Sequence, residues 1–109
     1  MTTFDDREKS AEKKFALDEE MQFKAHARRD KLFGLWAAGR MGLSGAAAET
    51  YAKGIVSDDI VHPGDKAVCA KVMSDLAAKG VKTTDAELTG KLNELFTVAK
   101  QQIVSAAKS

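Results

Sequence analysis

The clearest hydrophobic pattern lies toward the C-terminus, where Leu88, Leu92, Leu95, Phe96, Ala99, Ile103 and Ala106 recur at steps of three and four. That spacing draws one apolar stripe along a helix. Thr84-Asp85-Ala86-Glu87 just before it reads as a capping box. The hydroxyl accepts from the amide of residue 87, and the Glu87 carboxylate reaches back to the amide of residue 84. A second stripe of Val68, Val72, Met73 and Leu76 follows the turn His62-Pro63-Gly64-Asp65, with Pro63 tolerated in the first helical turn and Gly80 ending the helix. Ala48, Tyr51, Ala52 and Ile55 mark a further helix, capped by Ser44 and running to about Ser57, which Gly54 weakens.

Upstream, the pattern predicts a long helix over residues 4–38. Thr3 is its N-cap, Asp5 and Asp6 sit at the positive end of the dipole, and Gly39-Arg40-Met41-Gly42 supplies the left-handed stop. Thirty-five residues at ~1.5 Å each make a rod of about 52 Å, too long to lie wholly within a compact domain. Its halves differ. Leu32-Phe33-Gly34-Leu35-Trp36-Ala37-Ala38 has the volume of core, with Trp36 where the first helix meets the others. Residues 1–31 instead hold eight basic and eight acidic side chains, and on this reading stay out of the core. Phe4, Ala11 and Phe15 form a narrow apolar seam there, and pairs such as Asp5 with Lys9 and Glu20 with Lys24 add only ~0.2–0.5 kcal/mol each. Marginal order with a few aromatic anchors suits a segment that completes its folding on a partner.

Together these patterns predict an all-α chain of four helices, with a long, partly protruding or mobile N-terminal helix. Composition agrees: 109 residues make one domain, and helix formers dominate with one Pro and 6% aromatics. A net charge of +1 gives no field for nucleic acid. The single Cys and the absence of an apolar leader or an apolar run of membrane-spanning length point to the cytoplasm.

Candidate chemistry is sparse. His26 and Asp30, at i and i+4, supply two metal ligands, which do not make a site, and His62 before Pro63 reads as a turn and cap residue. Cys69 falls on the apolar side of its helix and reads as a small buried hydrophobe. Gly39-Arg40-Met41-Gly42-Leu43-Ser44-Gly45 invites a phosphate-loop reading but lacks the Lys-Ser/Thr ending and a preceding strand, so a helix connection explains its glycines. Arg28 and Arg29 with Lys24 and Lys31 form a basic cluster that Asp30, Glu19 and Glu20 dilute. Nothing assembles into a catalytic constellation, and no cofactor is expected.

Phe4-Asp5-Asp6-Arg7-Glu8 and Arg28-Arg29-Asp30-Lys31-Leu32-Phe33-Gly34-Leu35-Trp36-Ala37-Ala38, followed in order by Tyr51-Ala52-Lys53, Pro63-Gly64-Asp65 and Asp75-Leu76, resemble the zeta subunit family, alphaproteobacterial inhibitors of the F-type ATP synthase. The resemblance implies an all-α four-helix bundle and a non-enzymatic inhibitor, cytoplasmic and held at the inner membrane through the ATP synthase. In such proteins an N-terminal segment inserts into the catalytic head, formed by the alpha, beta and gamma subunits, and blocks rotation in the direction of hydrolysis. Carried onto this chain, residues 1–19 are the mobile inhibitory segment, with Phe4, Asp5, Asp6, Arg7, Glu8 and Phe15 as its partner-binding residues, and residues 20–109 are the bundle. The alternatives are a helical adaptor with another partner, and a sensor that binds adenine nucleotide weakly on the bundle or at residues 39–45.

Overall fold

The computed structural model describes residues 18–108. These residues form four helices: α1 (Glu19–Arg40), α2 (Gly45–Val61), α3 (Asp65–Ala78) and α4 (Asp85–Lys108). Helix α1 packs most extensively against α2 on one side and α4 on the other, and the shorter α3 closes the ring through α2 and α4. The short connections make neighbours antiparallel. Among the described residues no helix is long and apolar enough to cross a membrane.

Where the pattern predicts one unbroken rod over residues 4–38, the backbone is not helical at Asp18. Asp18 has an extended backbone (φ −67°, ψ 173°) and its carboxylate accepts the amide of Met21 at 2.8 Å, so Asp18 is the N-cap and the helix starts at Glu19. A carboxylate cap at the head of a Glu19-Glu20 first turn satisfies an orphan amide and favours the dipole. The expected Thr3 cap, the Asp5–Lys9 pair and the seam of Phe4, Ala11 and Phe15 lie outside the described residues. At its other end α1 runs past Ala38 to Arg40, because Gly42 adopts φ 82° and lets the Leu43 amide reach the Ala38 carbonyl at 2.8 Å.

Helix α2 also outruns expectation, continuing through Asp58, Asp59 and Ile60 to Val61, and His62 caps it with its amide on the Asp58 carbonyl. Pro63 disfavours helical backbone in the residue before it, which fixes that stop. Pro63 stands outside α3, whose N-cap is Gly64. Half of the Thr84 capping box forms: the Glu87 amide donates to Thr84 Oγ1 at 3.1 Å, while the Glu87 carboxylate turns to Arg40 at 3.2 Å.

The core follows the stripes. Leu88, Leu92, Val68, Val72 and Leu76 meet Phe33, Ala37 and Ile55 in one cluster, and Cys69 joins them. Burial pushes the Cys69 thiol further up, as befits a packing residue. A satellite cluster of Ala25 and Ile103, covered by Met21, Phe96 and Val104, ties the start of α1 to the end of α4. Leu95 and Phe96 are half-buried and Ala106 is exposed. Trp36, expected in the core, stands half-buried at its edge. Its ring stacks on Phe33 at 5.7 Å, and Arg40 and Lys91 lie over it at 5.5 and 5.6 Å. The indole therefore contributes an apolar inner face while its outer face is covered by cations.

Candidate functional site

Phe4, Asp5, Asp6, Arg7, Glu8 and Phe15, the residues expected to bind a partner, lie outside the described residues. The structure does show the end of the bundle at which the described residues begin, at Asp18, and what builds this end.

Its centre is a guanidinium. Arg29 and Asp30 are each only 2% exposed, which corrects the expectation that the charged half of the first helix stays out of the core. The reason is geometric: Ala25, Arg29, Phe33 and Ala37 follow one another at steps of four, so Arg29 shares the stripe that α1 buries. Its Nε and Nη2 donate to Asp30 Oδ1 at 3.1 and 2.9 Å, and its Nη1 donates to Asp65 Oδ1 at 2.9 Å. Asp59 Oδ2 lies 3.6 Å from Nη2, and Asp59 Oδ1 accepts the Gly64 amide at 3.3 Å. The Phe96 ring sits below the guanidinium, 5.4 Å from Cζ. One side chain of α1 thus clamps the last turn of α2 to the first residue of α3 across the turn at residues 62–64.

Three carboxyls facing one guanidinium leave an excess of negative charge. Burial pushes the Asp30 carboxyl from an ordinary 3.8 to about 8, and a hydrogen bond shared with Asp59 adds to the rise while the charge of Arg29 opposes it. Asp30 therefore carries a proton at neutral pH and gives it to Asp59 as a hydrogen bond, so the cluster holds its excess charge to one carboxylate fewer. This arrangement fixes helices. The only cation within it is occupied, and among the described residues no group of three or more His, Cys, Asp or Glu side chains is arranged to hold a metal ion. His26, paired with Asp30 in sequence, packs its ring against Phe96 at 4.8 Å.

The other motifs resolve into similar ties. Tyr51 donates its hydroxyl to Asp75 Oδ2 at 2.8 Å, and Lys71 pairs with the same carboxylate at 3.1 Å, which binds α2 to α3. Burial raises the Tyr51 phenol well above its usual range, and Asp75 adds to the rise. Gly34 faces Ala52 so closely that a Cβ on it would lie 2.7 Å from the Ala52 Cα, making this the tight crossing of α1 on α2. Residues 39–45 act as the helix connection, with Gly42 supplying the stop.

The supposed basic cluster divides. Arg29 turns inward, whereas Lys24 and Lys31 face outward and pair with Glu20 at 3.3 Å and Glu49 at 3.6 Å, and Arg28 donates to Gln102 at 3.0 Å. With Lys53 they rim a groove of roughly 630 Å³ floored by Phe23, Ala27, Val56 and Ile103. A smaller cavity of roughly 280 Å³ on the other side of Phe23 reaches Asp30 and Asp59. Sequence reasoning missed Arg29, Asp30, Asp59 and Asp65 as a unit. The register of Arg29 with Ala25, Phe33 and Ala37 was the one signal that could have exposed it.

Fold and site together define, among the described residues, a small all-α bundle whose helices are clamped by buried polar ties and whose surface carries a basic, apolar-floored groove. The chain belongs to the ATPase inhibitor subunit zeta family, whose sequence model matches residues 1–102. Among proteins of curated function none matches. A protein solved by solution NMR is similar at 43% identity over 79% of this chain and 98% of its own, with a TM-score of 0.69. The family is that of an ATP synthase inhibitor, which implies association with that enzyme.

Proposed function

We propose that this chain is a non-enzymatic inhibitory subunit of the F-type ATP synthase, and that residues 1–19 do the inhibiting by entering the catalytic head, formed by the alpha, beta and gamma subunits, at a catalytic interface near the central rotor. The observation that carries this reading is the family match, which extends from residue 1 and so takes in the N-terminal segment as well as the bundle. The fold agrees with it: from Asp18 onward the bundle has its own cap, core and ionic clamp. Phe4 and Phe15 serve as apolar anchors, and Asp5, Asp6, Arg7 and Glu8 set orientation and register. The bundle holds the protein at the cytoplasmic face, peripheral to the membrane through the enzyme.

Full insertion of each phenylalanine is worth on the order of 1.5–3 kcal/mol. Phe4→Ala with Phe15→Ala therefore weakens inhibition of ATP hydrolysis by the purified enzyme while thermal unfolding of the bundle stays where it was. Undiminished inhibition by the double variant would refute the anchors.

A further inference from the structure

Phe23 is 61% exposed, Ile60 61% and Val61 68%, and these are the exposed large hydrophobic side chains of the described residues. All three belong to one end of the molecule. Phe23 lies in the second turn of α1 and Ile60 and Val61 close the antiparallel α2, so Phe23 and Ile60 line a common cavity with Val56 and Pro63. Apolar side chains gathered at one end and left in water mark a surface that something else covers.

We propose that this end of the bundle is a second docking surface for the ATP synthase head, and that it seats an acidic amphipathic helix of the head beside the cleft that receives residues 1–19. The inference rests on the functional reading above and adds the surface by which the bundle itself is held.

Position is the first argument. Phe23 comes five residues after Asp18, only ~7.5 Å along the helix axis. A partner that takes the preceding segment therefore comes close to Phe23, which shares a cavity with Ile60. Charge is the second. The groove next to Phe23 has an apolar floor that includes Val56 and Ile103 and a rim that includes Lys24, Arg28 and Lys53. Lys24 spends its charge on an exposed pair with Glu20, a contact worth little, and Arg28 faces the neutral Gln102. Lys53 has no carboxylate within ion-pair distance among the described residues. A helix with an apolar face and flanking carboxylates satisfies both floor and rim. The far end of the bundle offers no such match: its cavity mixes Lys82 with Glu87 and shows no exposed large hydrophobe.

The test is photo-crosslinking with the full chain bound to the purified head, a benzophenone side chain standing in turn at positions 15, 60 and 82. Adducts with head subunits from 15 and 60, and none from 82, are the expected result. Head adducts from 15 while 60 reacts only within its own chain, with a second copy or not at all would overturn the docking surface and leave the functional reading intact. Absence of head adducts from both 15 and 60 would remove both. A second readout uses Phe23→Ser with Lys53→Glu, both exposed, so that folding is preserved. Half-maximal inhibition then requires about tenfold more protein, with complete inhibition still reached at saturation. Unchanged or increased potency of this variant, its thermal unfolding being unaltered, would contradict the proposal.

Discussion

Arg29 reaches Asp30, Asp59 and Asp65 at once, through the five donors that a guanidinium holds in one rigid planar fork. Taking it away leaves the buried Asp30 and the mostly buried Asp59 facing each other without their cation, so Arg29→Met costs about 3–5 kcal/mol in urea unfolding even though the replacement is apolar. Arg29→Lys recovers only part of that. The neighbouring Asp30 sets a pH dependence. In the unfolded chain Asp30 ionises near 3.8, whereas the folded protein keeps its proton up to about 8. Between those values the folded state binds more protons, so the contribution of Asp30 to stability is fully present below pH ~4 and is lost as pH rises toward ~8. Thermal melts from pH 5 to 9 are expected to show this decline, and Asp30→Asn, whose amide donates to Asp59 without titrating, is expected to flatten it. Equal slopes for the two proteins would refute the protonated pair.

At the scale of the element, the crossing of α1 on α2 depends on the missing side chain of Gly34. A Cβ there meets backbone at 2.7 Å and cannot be relieved by a rotamer change, so the helices must separate. Gly34→Ala lowers stability by about 1–3 kcal/mol despite the better helix propensity of alanine. Gly54, by contrast, faces open space. The sequence distinguishes the two poorly, because both are single glycines inside helical patterns. What was legible came from periodicity: Leu88, Leu92, Val68, Val72, Leu76 and Ile55 were read as core and are core. Less legible were features decided by geometry across elements. Asp18 stands in an unbroken run of helix formers, and only the hydrogen bond to Met21 makes it a cap. Arg29 and Asp30 look like surface charge until α2 and α3 bring Asp59 and Asp65 to them. The end of α2 was misjudged because Asp58 and Asp59 resemble a polar boundary, although Asp59 is there to meet Arg29. The expected partner-binding residues 4–8 and 15 were read through resemblance, since nothing in their charge pattern alone singles them out.

For the whole molecule, the proposed function divides two tasks. From Asp18 onward the chain spends its apolar residues and its buried charges on holding four helices together, and the ties fall on the same motifs that carry the family resemblance: Arg29 with Asp65, Tyr51 with Asp75, Gly34 with Ala52. Those residues are architecture. On the proposed function, the inhibitory role falls to residues 1–19. The direct test is ATP hydrolysis by the cognate F-type ATPase stripped of its own inhibitor, titrated with the full chain and with a chain lacking residues 1–19. The account predicts that the full chain inhibits, and that the shortened chain, folded by circular dichroism, does not inhibit at any concentration reached. Equal inhibition by both would contradict it and move the inhibitory contact onto the bundle.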